Sequence, residues 1–353
     1  SLDRQHLVVR GPGIGDPAGR DQRLGVGGGG DVVQRVGAAD QLGREASLAY
    51  NESVSLQIEG TLDVAALQDA LLALADRHEA LRSTISADGT SLMIVPRGAL
   101  QARIVDLAAM TESERAQALA AARKHDVSDP FDLVEGPLMR ATLMKLGPAR
   151  HELLLTAHHI VCDGWSFGVV ATELSTLYAR IAGKQGTDSL PGADSFGDYA
   201  VSQHHAAWQD SAEADTQWWV RQYDGAIPVL ELPTDRPRRA FRSFDSLRED
   251  LVLDAALTDA VRKLGGKHGA SLFVTLFSVF GSLMARLSGQ DDIVVGVPAA
   301  GQASGDRNAL VGHCVQLLPI RIAADLEQPF AELLKGTRGR VLDAYEHQSC
   351  TFG

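Results

Sequence analysis

A chain of 353 residues exceeds what one hydrophobic core usually organises, so two lobes are expected. Hydrophobic residues at 45% and charged residues at 22% are those of an ordinary globular protein, and a formal charge of −12 counts against nucleic acid and anionic membrane as partners. Cys162, Cys314 and Cys350 show no CxxC spacing, which argues against a disulfide framework or a zinc site and fits a reducing, cytoplasmic setting.

No apolar run reaches the roughly 18–20 residues of a membrane span, and Ser1 opens no signal peptide. The chain starts without Met and stops at Thr351-Phe352-Gly353, directly after a motif-like stretch, and so reads as a piece of something longer.

Residues 1–44 differ from the rest: they hold eleven of the 35 glycines, six arginines and no lysine, with neither helical nor strand periodicity. Low-complexity chain without regular structure is expected there. The string Gly25 to Gly30 formally matches GxGxxG, but no convincing strand precedes it.

From Ser47 the pattern becomes that of a folded domain. Ser53 to Gly60 alternates polar and apolar residues as a half-buried strand does. Asp63 is a candidate cap for a helix running to about Leu81, with Leu67, Leu71, Leu74 and His78 at helical spacing. Strands are expected at Ser91–Val95, Leu138–Leu146 and Glu152–Ala157, and a helix at Phe167–Ile181. The Gly-, Ser- and Asp-rich stretch Ala182–Ala193 marks a lobe boundary. This gives residues 45–185 as an N-terminal lobe and 186–353 as a C-terminal one.

In the second lobe one long helix is expected over Phe196–Tyr223, then a strand at Ser246–Leu253. Helices follow at Asp254–His268 and Ser271–Leu287, with buried strands at Asp292–Pro298 and Val315–Ile322. Helices and strands alternating in two unequal halves indicate an α/β or α+β protein.

Chemistry concentrates in His158-His159-Ile160-Val161-Cys162-Asp163-Gly164-Trp165-Ser166. Two adjacent histidines end the apolar run Leu153–Ala157, and an acid-glycine turn follows. Histidine is the side chain whose ordinary pKa suits proton transfer near neutral pH. The alternative is a buried His-His pair with an Asx turn behind it. Arg77 and Arg82 close the first long helix, where they favour its dipole, or one of them reaches a buried carboxylate such as Asp163.

Taken together, these residues resemble a condensation domain of a nonribosomal peptide synthetase. Arg77 to Thr84 (RHEALRST) resembles one family signature, Ala157 to Ser166 the HHxxxDG core, and Gly197 to Val201 the opening of the second lobe. Val311 to Arg321 and His347-Gln348 resemble two further signatures. Five in order over about residues 47–353 are far more specific than any one alone.

The resemblance implies two chloramphenicol-acetyltransferase-like lobes forming a V-shaped pseudo-dimer with a central tunnel. An upstream carrier would bring an acyl or peptidyl thioester, a downstream carrier an aminoacyl thioester, and an adenylation domain would adjoin. No cofactor is bound directly; the carriers' phosphopantetheine arms deliver both substrates. His159 is implied as base or as positioning hydrogen-bond partner of the attacking amine, with His158 structural. Asp163 would hold the loop through an ion pair, and Gly164 would clear space at the reacting carbonyl. Arg77, Arg82, Trp165 and Ser166 would support this site.

Several departures stand out. The family's first, aromatic-containing signature should precede Ala49-Tyr50-Asn51-Glu52-Ser53, yet nothing in residues 1–44 resembles it. Out-of-frame translation of a GC-rich gene would account for such a segment. Gln316 stands where the family usually has Asn, Cys350 to Gly353 is a loose match to the usual ending, and roughly a quarter of a whole domain is absent, which leaves the C-terminal lobe incomplete. An epimerization domain or a catalytically silent recruiting module of the same fold is the alternative. The Trp165-Ser166 that follows Gly164, and the intact His159 and Asp163, favour condensation.

Overall fold

The computed structural model describes residues 8–10, 47–89, 91–183, 189–203, 205–237 and 249–349. The chain divides into two compact units. Unit 1 comprises the residues up to His205 together with Gln302–Cys314, and unit 2 comprises Ala206–Gly301 and Val315–Gly353. The division therefore differs from the expected break at 185/186. Phe196 and Tyr199 bury their rings in the first unit's core, as do Leu310, Val311 and Cys314 from far along the chain.

Unit 1 is built on a mixed five-stranded sheet whose strands lie in the spatial order 8–10, 51–59, 150–158, 139–147 and 102–106. Its centre is an antiparallel pair, β2 (Asn51–Glu59) and β7 (Arg150–His158), with Asn51 opposite His158 and Glu52 opposite Ala157. β6 (Met139–Gly147) runs antiparallel to β7 and parallel to β5 (Ala102–Asp106). A short strand, β1 (Val8–Arg10), pairs with the outer edge of β2. It corrects the expectation that residues 1–44 hold no regular structure: Val8 and Val9 are β-branched, and such residues suit an extended backbone. Residues 11–44, with the GxGxxG string, lie outside the described residues.

The pleat sends alternate side chains to opposite faces. Val54, Leu56, Leu153, Leu155 and Ala157 face a core shared with two helices, α1 (Val64–Arg77) and α3 (Gly164–Ile181). α1 contributes Leu67, Ala70, Leu71 and Leu74, the i, i+3, i+4, i+7 stripe of an amphipathic helix. Asp63 caps it, accepting from the Ala66 N–H at 3.0 Å.

The helix stops at Arg77 rather than Leu81, because His78 turns to an extended conformation and Glu79–Arg82 form a separate 3-10 turn. There the His78 ring is 2.9 Å from a Glu173 oxygen, and Leu81 enters the core. The opposite face, with Leu154, Met144 and Leu146, packs against α2 (Glu112–Ser128), which the sequence pattern had not announced. Its capping box, Thr111 with Glu114, is complete. A small hairpin of β3 (Ser83–Ile85) and β4 (Leu92–Ile94) stands apart from the main sheet.

The expected long helix at 196–223 is two helices, α4 (Phe196–Ser202) and α5 (Ala206–Gln222). Their apolar residues serve different cores, Phe196 and Tyr199 the first, Trp219 the second. Unit 2 pairs β8 (Asp292–Ala300) antiparallel with β9 (Val315–Ala323). Helices α6 (Ala255–Lys267), α7 (Leu272–Ser288) and α8 (Phe330–Glu346) accompany them. Val274, Phe277 and Met284 of α7 join Ile293, Leu318, Ile320 and Leu334 in its core.

The strand expected at 246–253 is not formed by its described part, 249–253. Leu251 and Val252 are 86% and 91% exposed, and no strand among the described residues pairs with them. Among the described residues no single helix is long and apolar enough to cross a membrane.

Candidate active site

β7 ends at His158, and the chain then turns through Ile160–Cys162 into α3. Because neighbouring residues on a strand point to opposite sides, the two histidines part company. His158, paired with Asn51, takes the opposite face of the strand from Ala157 and lies edge-on to the Phe131 and Tyr50 rings at 5.9 and 6.4 Å. Burial pushes its pKa down to about 3, assisted by the neighbouring His159 and Arg140, so it stays neutral. Asn51 is fixed on the same side by bonds from its amide to the Val127 and Asp129 carbonyls.

His159 turns the other way. Its backbone N–H donates to the Tyr50 carbonyl at 3.1 Å, and its Nε2 lies 3.4 Å from Glu52 Oε1. Both side chains are buried.

Asp163 is the N-cap of α3. Its Oδ1 accepts from the Ser166 N–H at 2.9 Å and the Ser166 hydroxyl at 2.7 Å. Its Oδ2 accepts from Gln302 Nε2 at 2.9 Å and from the Cys314 N–H at 3.1 Å. Gln302 is wholly buried and Asp163 nearly so. The carboxylate is thus held by neutral donors, each stronger for bonding to a charge.

The segment 302–314 straps the whole loop. The His313 N–H donates to the Ile160 carbonyl and its Nδ1 meets the His159 carbonyl, both at 3.2 Å. The His313 ring stands edge-on to His159 at 5.2 Å, and burial lowers its pKa despite nearby Asp163. The Gly312 N–H donates to Ser166 Oγ, and Trp165 Nε1 donates to the Asn308 carbonyl. Gly312 must be glycine, since a Cβ there would sit 2.2 Å from the buried Phe196 ring.

The arrangement offers an imidazole at a strand end beside the N-terminus of an 18-residue helix. The first N–H groups of a helix have no intrahelical acceptor and carry partial positive charge. Among the described residues no group of three or more His, Cys, Asp or Glu is placed to hold a metal ion.

A profile of the condensation-domain family matches residues 33–353. The chain belongs to the condensation-domain family. It is 37% identical over 309 residues to one of the linear gramicidin synthase proteins of Brevibacillus parabrevis, covering 87% of this chain and 4% of that protein. Over 321 residues it is 36% identical to malpinin synthetase of Mortierella alpina, covering 90% of this chain and 4% of that one. Among solved structures, the SgcC5 protein from Streptomyces globisporus is similar with a TM-score of 0.72 at 28% identity, over 87% of this chain and 69% of that one. The chain therefore spans only a small part of the synthetases it matches. The resemblance carried by the five signatures, to condensation domains of nonribosomal peptide synthetases, holds.

In this condensation domain the expected residues sort into two groups. His158, His159, Asp163, Gly164, Trp165 and Ser166 share one loop and helix start. Arg77 and Arg82 do not join them, which corrects the expected ion pair to Asp163. Arg77 bonds Glu173 and the Pro191 carbonyl, while Arg82 bonds the Asp76 and Val95 carbonyls. Glu173, further along α3, is penalised by burial, but His78 and Arg77 more than offset this and hold its pKa below the ordinary value. The buried carboxylate that Arg77 satisfies is therefore Glu173.

Gly164 is also not a tight turn. It is the first residue of α3, its φ is not positive, and a Cβ would meet nothing within 4 Å.

Four residues were given no part in the site by the sequence: Glu52, Gln302, and His313 and the Cys314 backbone, although the last two lie within the Val311–Arg321 signature. Glu52 had a signal. Extending the alternation of β2 by one residue puts Glu52 on the same face as Val54 and Leu56, where an apolar side chain belongs.

Proposed function

We propose that this condensation domain forms an amide between a carrier-bound acyl or peptidyl thioester and a carrier-bound aminoacyl amine. The observation that carries this reading is His159, buried and fixed at the end of β7 next to the start of α3.

In this reading the neutral His159 takes a proton from the acceptor amine as its nitrogen attacks the thioester carbonyl. The oxyanion faces the first-turn N–H groups of Gly164 and Trp165. Collapse breaks the C–S bond, and the departing thiolate takes the proton from the imidazolium. The open space before Gly164 is where the reacting carbonyl would stand. Asp163, Gln302 and His313 keep the loop in this geometry, so much of the acceleration comes from orienting two tethered substrates.

Both substrates arrive on phosphopantetheine arms, the donor on an upstream carrier and the acceptor on a downstream one, beside an adenylation domain. The 4% of each synthetase that the chain spans supports such neighbours. Two lobes of chloramphenicol-acetyltransferase type around a tunnel belong to the same reading. So does a cytoplasmic setting, which suits the free buried thiols of Cys162 and Cys314.

The test loads donor and acceptor carriers and follows amide on the acceptor by mass spectrometry. The His159→Ala variant is expected to lose about 10²–10⁴-fold in rate, the usual contribution of a positioned acid–base group. Product formed at the unmodified rate would sink the assignment.

A further inference from the structure

Glu52 is a carboxylate where the strand pattern calls for an apolar side chain. Its neighbours along the same face of β2 are Val54, Leu56 and Ile58, all packed into or against the first core, and Glu52 itself is only 4% exposed. Burying a charge among such residues is costly unless something nearby profits from it. Local rules broken in this way concentrate at functional sites. The neighbour that profits is His159, whose Nε2 is 3.4 Å from Glu52 Oε1.

We propose that Glu52 is a positioning residue acting through His159: its carboxylate holds the imidazole ring and stabilises the imidazolium formed during amide synthesis. The inference rests on the reading of His159 as the group that takes the acceptor's proton. The proton leaves the acceptor nitrogen for His159, which becomes a cation paired with the Glu52 anion. The C–N bond forms, the C–S bond breaks, and the thiolate carries the same proton away, which leaves Glu52 ionised and His159 neutral as at the start. No oxidant, reductant or further reactant is required.

Among the described residues, His158, Cys162, Asp163 and His313 are titratable groups close to the pair, and none of these four duplicates this role. His158 points to the opposite face and stays neutral. The Cys162 thiol is pushed up by burial and by the negative fields of Asp163 and Glu52, so it stays protonated. Asp163 is engaged by Ser166, Gln302 and Cys314. His313 bonds the His159 carbonyl and meets its ring edge-on, while burial disfavours a charge on it. Glu52 is the carboxylate that faces the His159 ring among these described groups.

The test is a pH titration of the His159 ring by nuclear magnetic resonance in the full chain, with ¹⁵N-histidine labelling and the His159→Ala spectrum for assignment. In Glu52→Gln, the His159 pKa is expected to fall by about 1–3 units, the usual effect of removing an opposite charge within 4–6 Å. The acid limb of the pH–rate profile for amide formation should move down with it. In Glu52→Asp the carboxylate retracts by one methylene, and the pKa should fall by a fraction of that amount.

A folded Glu52→Gln whose His159 titrates as in the unmodified chain overturns the proposal. If Glu52→Gln does not fold, an unshifted His159 in Glu52→Asp overturns it equally. Retained activity in His159→Ala would strike at the role of His159, whereas an unmoved titration strikes at Glu52 alone.

Discussion

The Gln302–Asp163 contact is the most sensitive point of the site, and Gln302→Glu is the substitution that exposes it. The amide now donates to both oxygens of Asp163, at 2.9 and 3.1 Å, with both side chains at 2% exposure or less. A carboxyl of the same shape would bring two like charges to about 3 Å, a repulsion of about 5–6 kcal/mol at an effective dielectric constant near 20. The cheaper response is to share one proton between the two groups. Holding that proton on a carboxyl of ordinary pKa near 4.3 costs about 3.7 kcal/mol at pH 7 and about 1 kcal/mol at pH 5.

The sign follows from linkage. The folded pKa of the pair is raised above the unfolded value, so the variant is at its best in acid and loses stability as pH rises. In calorimetric melts, the Tm gap to the unmodified chain should widen from about 2–4 °C at pH 5 to about 7–15 °C at pH 7. A gap that stays constant between pH 5 and 8 would refute the reasoning, because it would mean that residue 302 does not face Asp163.

Two further substitutions probe the same loop. Gly164→Ala places a methyl group in open space on a helix-compatible backbone, so the Tm should hold or rise slightly. Amide formation should nonetheless fall by about tenfold, equivalent to about 1.4 kcal/mol, because the methyl group occupies the space proposed for the carbonyl. Full activity in that variant would place the substrate elsewhere. His158, with its folded pKa near 3 and an unfolded value near 6.5, makes the chain acid-labile. Stability is complete above the higher value and should decline by about 1.4 kcal/mol per pH unit below it, down toward the lower one. In His158→Gln, urea midpoints measured between pH 6 and 4 should lose that part of their slope, whatever constant offset the substitution adds.

The sequence showed most clearly the elements whose side chains repeat. The alternation at Ser53–Gly60 and the leucine stripe from Leu67 to Leu74 placed β2 and α1 to within a few residues, because one buried face imposes a period. α2 was missed because its face toward the sheet is made largely of alanine. Ala118, Leu119 and Ala122 pack there, and further alanines at 116, 120 and 121 blur the stripe among polar residues. The end of α1 was missed because what stops it, the His78–Glu173 bond, joins residues 95 positions apart.

The site divides in the same way. His158 to Ser166 could be read because they are contiguous. Gln302, His313 and Cys314 approach them only through the fold, and no local pattern announces that. The arginines misled for a related reason: that one of them reaches a buried carboxylate was a sound inference, but the arginine is Arg77 and the carboxylate is Glu173, 96 positions away.

A doubled histidine looks like redundancy, as though either ring could stand in for the other. The pairing of β7 with β2 forbids the exchange, because Asn51 opposite His158 and Glu52 opposite Ala157 fix which side each ring takes. Shifting β7 by one residue would move its whole apolar row, Leu153, Leu155 and Ala157, out of the core along with His159. The leucines buried far from the loop thus act as a ratchet for the histidine. Choosing the reactive imidazole is a task shared by the entire strand, and its safeguard is the free energy of the core itself.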